Sequence, residues 1–210
     1  MTEVVSIEND GAERARNKLE HCIGTGGVAV FPADGLYGLA CDPLDPAAIE
    51  RIHRVKGRDD GKPSAILYFS PLAMRELVEG LGPRTRKAAG ALLPGPVTLV
   101  VSNPQRRYPL ACREDPERLG VRLIGGPLAG AMCPILQTSA NLSGEPAPTR
   151  FAEVPDEILA AVDLAIDGGT LAGTPSTVVD LTVFDEDGKW SVLREGGLDR
   201  AELAALLAAT

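Results

Sequence analysis

The sequence predicts a mixed α/β (α+β) fold built around a twisted mixed sheet. Short apolar segments of strand length and amphipathic helical segments are interleaved, without the strict alternation of a parallel-sheet fold. The 210 residues are 44% apolar and 24% charged, which is an ordinary globular composition. No internal repeat, low-complexity tract or long linker divides the chain, so we expect one domain over residues 1–210.

The first elements are bounded by glycine, proline and capping residues. Glycines from Gly24 onward end an amphipathic helix, and Pro32 closes a short buried strand. Asp45 is suited to cap the next helix, which has Pro46 in its first turn. A polar loop at 57–62 then leads to an apolar strand. In order, we predict a helix at 11–23, a strand at 28–31, a helix at 46–54 and a strand at 64–69.

The remaining elements follow from the same signals. Two helical segments follow, and a Pro-Gly-Pro turn from Pro94 to Pro96 ends the second of them and leads into a strand. The polar stretch at 103–118 predicts an exposed loop, and residues 169–175 predict a mobile one. In order, we predict helices at 71–80 and 83–92, strands at 97–101 and 119–123, a short helix near 127–133, strands at 134–138, 160–166, 176–181 and 190–193, and a closing helix at 198–208.

Charge and cysteine content narrow the class of protein. With 21 basic and 29 acidic residues the net charge is −8, which argues against a protein that coats RNA or DNA but allows a local basic cleft. The cysteines, Cys22, Cys41, Cys112 and Cys133, have no C-x-x-C spacing, so reduced thiols are expected rather than a zinc site or disulfide framework. We see no signal-peptide pattern or membrane-length apolar run, so we expect a cytoplasmic protein.

The strongest candidate for a ligand-binding segment is basic and reads Lys56-Gly57-Arg58-Asp59-Asp60-Gly61-Lys62-Pro63. Three cations lie within seven residues on a turn between a helix and a strand. Glycines let a backbone approach a ligand, lysine supplies a point charge, and arginine supplies a planar fork for phosphate or carboxylate. A solvated basic loop would have the same composition, so this segment does not decide the function by itself.

A polar segment, Gln137 to Thr149, follows an apolar strand. Its hydroxyls and amide, among them Ser139 and Asn141, are groups that hydrogen-bond ligands without adding charge. Ligands of open sheets often bind beyond strand ends. The same residue types also favour turns and caps, and that alternative stays open.

Two weaker segments complete the set. Pro94-Gly95-Pro96-Val97-Thr98 is a rigid turn that has a structural explanation. Arg194 follows a strand and precedes paired glycines, where it could reach an anion or form a surface ion pair. The chain has no P-loop motif, and His21 and His53 lack a nucleophile motif to act with, so classical triad chemistry is poorly supported.

Taken in order, these segments resemble the YrdC-like threonylcarbamoyl-adenylate synthase family (TsaC/Sua type), whose members act in tRNA adenosine-37 modification. The similarity spans about residues 24–197, and order and spacing make it specific although each motif is weak alone. The motifs that carry it are Pro32 to Leu39, Lys56-Gly57-Arg58, Pro94 to Thr98, Val121-Arg122, Ser139 to Gly144, Ser176-Thr177-Val178 and Arg194-Glu195-Gly196.

The resemblance implies a fold, a reaction and a set of site residues. It implies one YrdC-like domain with a concave basic face that converts L-threonine, bicarbonate and ATP to threonylcarbamoyl-AMP and pyrophosphate, with Mg²⁺ bound to ATP and no metal held by the protein. Partner proteins of tRNA modification are implied, and strong direct RNA binding is not expected. The implied roles are catalysis for Lys56, Arg58, Ser139 and Asn141, ATP binding for Arg58, Lys62, Asn141, Thr149 and Arg194, and threonine binding for Arg122, Ser139 and Ser176.

The chain departs from the family pattern at the amino-acid end of that site. Ala33 replaces a threonine that is usual there, and Gly35 replaces a second threonine that is often present. The segment that begins at Arg122 reads Arg-Leu-Ile where Arg-x-Pro is usual. Each missing hydroxyl removes a hydrogen bond worth about 1–3 kcal/mol if its partner is buried. A paralogue that forms another carbamoyl-adenylate, or a nucleotide- or RNA-binding relative without this activity, therefore stays an alternative.

Overall fold

The computed structural model describes residues 1–57 and 63–210, so the predicted site residues Arg58 and Lys62 lie outside the described residues. Ten strands of the described chain form one mixed sheet, which confirms the predicted fold class. The strands are β1 (Glu3–Ser6), β2 (Ala29–Pro32), β3 (Tyr37–Cys41), β4 (Ala65–Tyr68), β5 (Val97–Ser102), β6 (Arg118–Leu123), β7 (Ile135–Ser139), β8 (Leu164–Asp167), β9 (Thr177–Asp180) and β10 (Ser191–Arg194).

Helices connect most of these strands. They are α1 (Ile7–Asp10), α2 (Ala12–Gly24), α3 (Pro46–Val55), α4 (Pro71–Glu79), α5 (Pro83–Leu92), α6 (Pro109–Cys112), α7 (Asp156–Ala161), α8 (Phe184–Asp187) and α9 (Arg200–Ala208), with a short 3₁₀ helix at Phe151–Glu153. The cap predicted for α3 is present, because the Asp45 side chain accepts hydrogen bonds from the backbone of Ala47 and Ala48. Asp199 caps α9 in the same way.

The strand order is β1-β8-β2-β3-β7-β4-β6-β5-β9-β10. β8 pairs in parallel with both β1 and β2, and β5 pairs in parallel with β9. β7 is antiparallel to both β3 and β4, so the end of β7 meets the start of β3 near the middle of the sheet. Ser139, the last residue of β7, lies opposite Gly38.

The two faces of the sheet are covered unequally. One face is packed along its length by α3, α4, α5 and α9, whose apolar residues form a cluster with alternate residues of the strands, such as Val30, Leu99 and Val121. A second cluster, built mainly around α2, covers the other face over β1, β2, β3, β4, β7 and β8. Because that cluster contains no residue of β5, β6, β9 or β10, this part of the second face is left uncovered and forms the floor of a cleft.

Three predicted elements differ from the structure. The helix predicted near 127–133 is absent: residues 127–130 form a turn and 131–133 are irregular, because Gly126 and Gly130 adopt left-handed backbone angles (φ of 81° and 95°). The predicted strand at 160–166 begins later, at Leu164, since residues up to Ala161 belong to α7. The predicted loop at 103–118 contains the short helix α6 and the first residue of β6.

Candidate active site

A cleft of about 760 Å³ lies over the uncovered part of the sheet. Its floor includes Ala65 of β4 and Gly120 of β6, two small residues whose backbones lie side by side. Among the described residues, four cationic side chains and one carboxylate line it, so the cleft is basic although the chain is acidic. These charged residues are Lys56, Arg118, Arg122, Arg194 and Asp115.

Lys56 joins the two segments that sequence reasoning favoured. It caps the C-terminal end of α3, and its Nζ donates to the backbone oxygens of Ser139 (2.6 Å) and Asn141 (3.1 Å). The Ser139 hydroxyl in turn donates to Oδ1 of Asn141, and Nδ2 of Asn141 donates to the backbone oxygen of Glu145 (2.7 Å). The structure thus brings Lys56, Ser139 and Asn141 together at the end of β7, while their chemical roles stay predictions.

Arg122 is the most buried of the cleft's cations among the described residues, with a relative exposure of 6%. Its guanidinium donates to Oδ2 of Asp34 (2.7 Å) and to Oε1 of Gln137 (3.2 Å), while its Nε has no hydrogen-bond partner in the described structure. Burial lowers the pKa of Arg122, the Asp34 carboxylate opposes this, and the nearby Arg194 adds to the lowering. Burial likewise raises the pKa of Asp34. The Nε–H of Arg122 is therefore a buried donor without an acceptor among the described residues.

Arg194 and Ser176 form a second polar group on the same side. The Arg194 guanidinium donates to the backbone oxygen (2.8 Å) and hydroxyl (3.1 Å) of Ser176. The Ser176 hydroxyl also shares a buried hydrogen bond of 2.8 Å with the hydroxyl of Thr98. The Pro-Gly-Pro turn therefore does more than start a strand, because it brings Thr98 into the cleft beside two predicted site residues.

Arg118 also lines the cleft and was missed by sequence reasoning. It donates to Asp180 (2.6 Å), and its Nε is buried without a hydrogen-bond partner among the described residues. The signal that could have found it is the alternation along β6, in which Arg118, Gly120 and Arg122 share the cleft face while the intervening residues enter the core.

Thr149 is placed differently from the other predicted residues. It does not appear among the residues that line the cleft, and its hydroxyl donates to the Glu153 carboxylate (3.0 Å). Its backbone oxygen instead accepts from Leu171 in the loop at 169–175 (2.8 Å). The structure thus places Thr149 beside this loop, and its contact with ATP stays a prediction.

Two features bear on metals and membranes. Among residues 1–57 and 63–210, no group of three or more His, Cys, Asp and Glu side chains is arranged to hold a metal ion. Within the same residues, no helix has the length and apolarity required to cross a bilayer.

Comparison with known sequences gives the family that the motifs indicate. The profile of the Sua5, YciO and YrdC family, described as "Telomere recombination", matches residues 21–196. Threonylcarbamoyl-AMP synthase of Thiobacillus denitrificans is 34% identical over 179 residues, which is 82% of this chain and 94% of that protein. The enzyme of the same name from Pyrococcus abyssi is 31% identical and covers 87% of this chain, which spans only 54% of that relative's length.

Solved structures agree with these sequence relationships. Pyrococcus abyssi Sua5 complexed with L-threonine matches 98% of this chain with a TM-score of 0.80 and 28% identity, over 61% of that protein. E. coli YciO matches 97% of this chain with a TM-score of 0.81 and 28% identity, over its whole length. The predicted family is confirmed, because the profile covers most of the sequence and relatives above 30% identity align over more than 80% of it: this chain belongs to the Sua5/YciO/YrdC family.

Proposed function

We propose that this protein is a threonylcarbamoyl-AMP synthase. In the proposed reaction the threonine amine reacts with bicarbonate to give a carbamate and water. A carbamate oxygen then attacks the α-phosphorus of ATP, so that threonylcarbamoyl-AMP forms and pyrophosphate leaves. The observation that carries this proposal is the meeting of Lys56, Ser139 and Asn141 with Arg122 and Arg194 in one cleft.

The phosphate end of the reaction needs positioning and charge neutralisation rather than an enzyme nucleophile. Lys56 Nζ is held at a fixed place by two backbone oxygens, so a phosphate that enters the cleft meets a positioned ammonium group. Arg194 is anchored on Ser176 and supplies a second cation. Arg58 and Lys62 lie outside the described residues, and their ATP contacts remain part of the proposal.

The amino-acid end of the cleft is assigned to Arg122 and Ser176. Arg122 lines the cleft, and its guanidinium is suited to donate hydrogen bonds to the threonine carboxylate. Its pairing with Asp34 and Gln137 fixes the plane of the guanidinium. We assign the hydroxyls of Ser139 and Ser176, both part of the cleft wall, to the same end.

Mg²⁺ fits this site as a companion of ATP. Asp115 is the carboxylate among the described lining residues, and the described residues form no metal-binding cluster. Phosphate oxygens and water would therefore supply most of the ion's ligands, as is usual for Mg²⁺. The ion would neutralise phosphate charge, while the residues named above position the reactants.

The fate of the product is also proposed. The adenylate would serve threonylcarbamoyl modification of tRNA adenosine-37, with transfer of the group to tRNA carried out with partner proteins. This part of the proposal is supported by the cleft geometry and by the name threonylcarbamoyl-AMP synthase, which the Thiobacillus and Pyrococcus relatives share.

A second candidate is a paralogue that carbamoylates a different amino acid. The observation in its favour is the absence of side-chain hydroxyls at Ala33 and Gly35, which line one end of the cleft. Such a paralogue would use the same phosphate chemistry, so only the amino acid would differ.

One assay tests both candidates. Purified protein is incubated with ATP, Mg²⁺, bicarbonate and each of a panel of labelled amino acids, and pyrophosphate and the labelled adenylate are measured. The proposal expects pyrophosphate release that depends on threonine and on bicarbonate. Release with another amino acid but not threonine would establish the paralogue, and no amino-acid-dependent release would refute both.

A further inference from the structure

Gly35 is in direct contact with the loop at 169–175. The glycine is buried, and its backbone oxygen accepts a hydrogen bond from Gly173 (2.8 Å). A Cβ atom placed on Gly35 would overlap the backbone oxygen of Thr174 and would lie 3.0 Å from the Thr174 carbonyl carbon. Such an approach to backbone atoms leaves no room for a side chain. The loop therefore occupies the space that any other residue at position 35 would need.

The loop is held at further points besides Gly35. Leu171 donates to the backbone oxygen of Thr149 (2.8 Å), and Gly197 donates to that of Pro175 (2.9 Å). At its start, the Tyr37 hydroxyl donates to the backbone oxygen of Gly169 (2.8 Å). These anchors come from three separate parts of the chain. They fix the loop over one end of the cleft in this structure, although the sequence predicts that it is mobile.

Thr174 is one of four residues of the cleft wall, with Ser64, Thr138 and Ser143, whose hydroxyls make no hydrogen bond within the described structure. The hydroxyl of Ser139 is bound to Asn141, and that of Ser176 is bound to Thr98 and Arg194. The Thr174 side chain is exposed and lines the cleft, and its hydroxyl makes no hydrogen bond within the described structure. It lies on the wall formed with Ala33 and Gly35, which supply no hydroxyl of their own.

We infer that the contact between Gly35 and Thr174 makes Thr174 a specificity-determining residue for the amino-acid substrate. The glycine admits the loop, and the loop presents the Thr174 hydroxyl to the substrate's side-chain hydroxyl. This inference rests on the proposed function, because it assigns the amino acid to this end of the cleft.

The first experiment tests whether Gly35 seats the loop. Hydrogen exchange is measured at the Leu171 and Gly173 amides in the wild type, in Gly35→Ala and in Gly90→Ala. The matched control is suitable because a Cβ on Gly90 meets no atom within 4 Å. Gly35→Ala is expected to speed exchange at both amides by about tenfold or more, and Gly90→Ala is expected to leave it unchanged. Equal exchange in all three proteins would overturn the inference.

The second experiment tests Thr174 itself by calorimetric titration. Threonine and 2-aminobutyrate, which lacks the hydroxyl, are titrated into wild type, Thr174→Val and Thr174→Ser. The wild type and Thr174→Ser are expected to prefer threonine by about tenfold or more, and Thr174→Val is expected to lose that preference. A preference that survives in Thr174→Val, or is absent from the wild type, would contradict the inference.

These readouts are independent of turnover. If the wild type releases no threonine-dependent pyrophosphate, the proposed function fails, while exchange and titration still report on the loop and on amino-acid recognition. If the wild type turns over threonine and Thr174→Val keeps its preference, the function stands and the inference fails.

Discussion

At the scale of single residues, Lys56 is the cation whose geometry is most closely tied to the candidate site. We expect Lys56→Ala to lower turnover with threonine by about 100-fold or more, because a positioned charge beside a reacting phosphate typically contributes that much. Steady-state pyrophosphate release checks this, with circular dichroism to verify folding. Lys87→Ala, at an exposed position of α5, is the matched control. Turnover within about twofold of wild type in Lys56→Ala would place the chemistry elsewhere.

Tyr37 offers a second prediction at this scale. Its hydroxyl donates to the backbone oxygen of Gly169 and accepts from the amide of Gly168 (3.0 Å), and burial raises its pKa to about 12, so it stays neutral. Tyr37→Phe leaves both backbone groups without this partner. We expect a loss of about 1–3 kcal/mol in the free energy of unfolding, measured by urea denaturation. No loss beyond about 0.5 kcal/mol would mean that other groups replace the hydroxyl.

The sequence could predict those site residues that lie in compact motifs, but not those that depend on strand alternation or on long-range contacts. Lys56, Ser139, Asn141 and Arg194 lie in compact motifs, and the structure places all of them on the cleft. Arg118 lies in no compact motif, and only the alternation of buried and cleft-facing residues along β6 indicates its position. The contact of Gly35 with Thr174 joins residues far apart in the sequence, so no local pattern could reveal it.

At the scale of elements, the short 3₁₀ helix at Phe151–Glu153 gives a pH-dependent prediction. Hydrogen bonds from the backbone of Thr149, from Arg150 and from the Thr149 hydroxyl lower the pKa of Glu153 from 4.5 to about 2. Because the folded-state pKa is depressed, the stabilisation is fully present above about pH 4.5 and is lost as the pH falls towards 2.

Glu153→Gln should therefore lower the midpoint of thermal unfolding at pH 7, and its difference from wild type should shrink as the pH falls through that window. Thermal unfolding followed by circular dichroism from pH 7 to pH 2 measures it. Glu114→Gln, at an exposed position away from this helix, is the control. A difference that stays constant with pH would show that ionised Glu153 does not stabilise the fold.

Some elements could not be read from local sequence because tertiary contacts decide them. β3 was missed because Gly38 weakens a strand pattern, yet a Cβ there would lie 2.8 Å from the Phe31 ring and 3.1 Å from the backbone oxygen of Thr138. The strand thus needs glycine for its close packing. By contrast, α3 and α5 match their predicted ranges to within a residue, because capping residues, proline and periodicity all agree.

At the scale of the whole molecule, the charge distribution predicts weak RNA binding. The net charge is −8, while the cationic side chains of the cleft are confined to a recess of about 760 Å³. We expect no saturable binding of a labelled tRNA below roughly 10 μM at physiological salt. Fluorescence anisotropy at low and physiological salt measures this. Tight binding that falls steeply with salt would indicate a basic surface suited to RNA.

The order of strands in the sheet also has a consequence for biosynthesis. Glu3 of β1 pairs with Leu164 of β8, and the cleft draws on residues from Ala33 to Arg194. Such long-range pairing slows folding, because large loops must close before native contacts can form. During translation, β1 cannot pair until β8 has been synthesised, and the cleft cannot be complete until β10 has been synthesised. Until β8 to β10 have been synthesised, the nascent protein therefore has unpaired strand edges and an incomplete cleft, a state that is prone to aggregation.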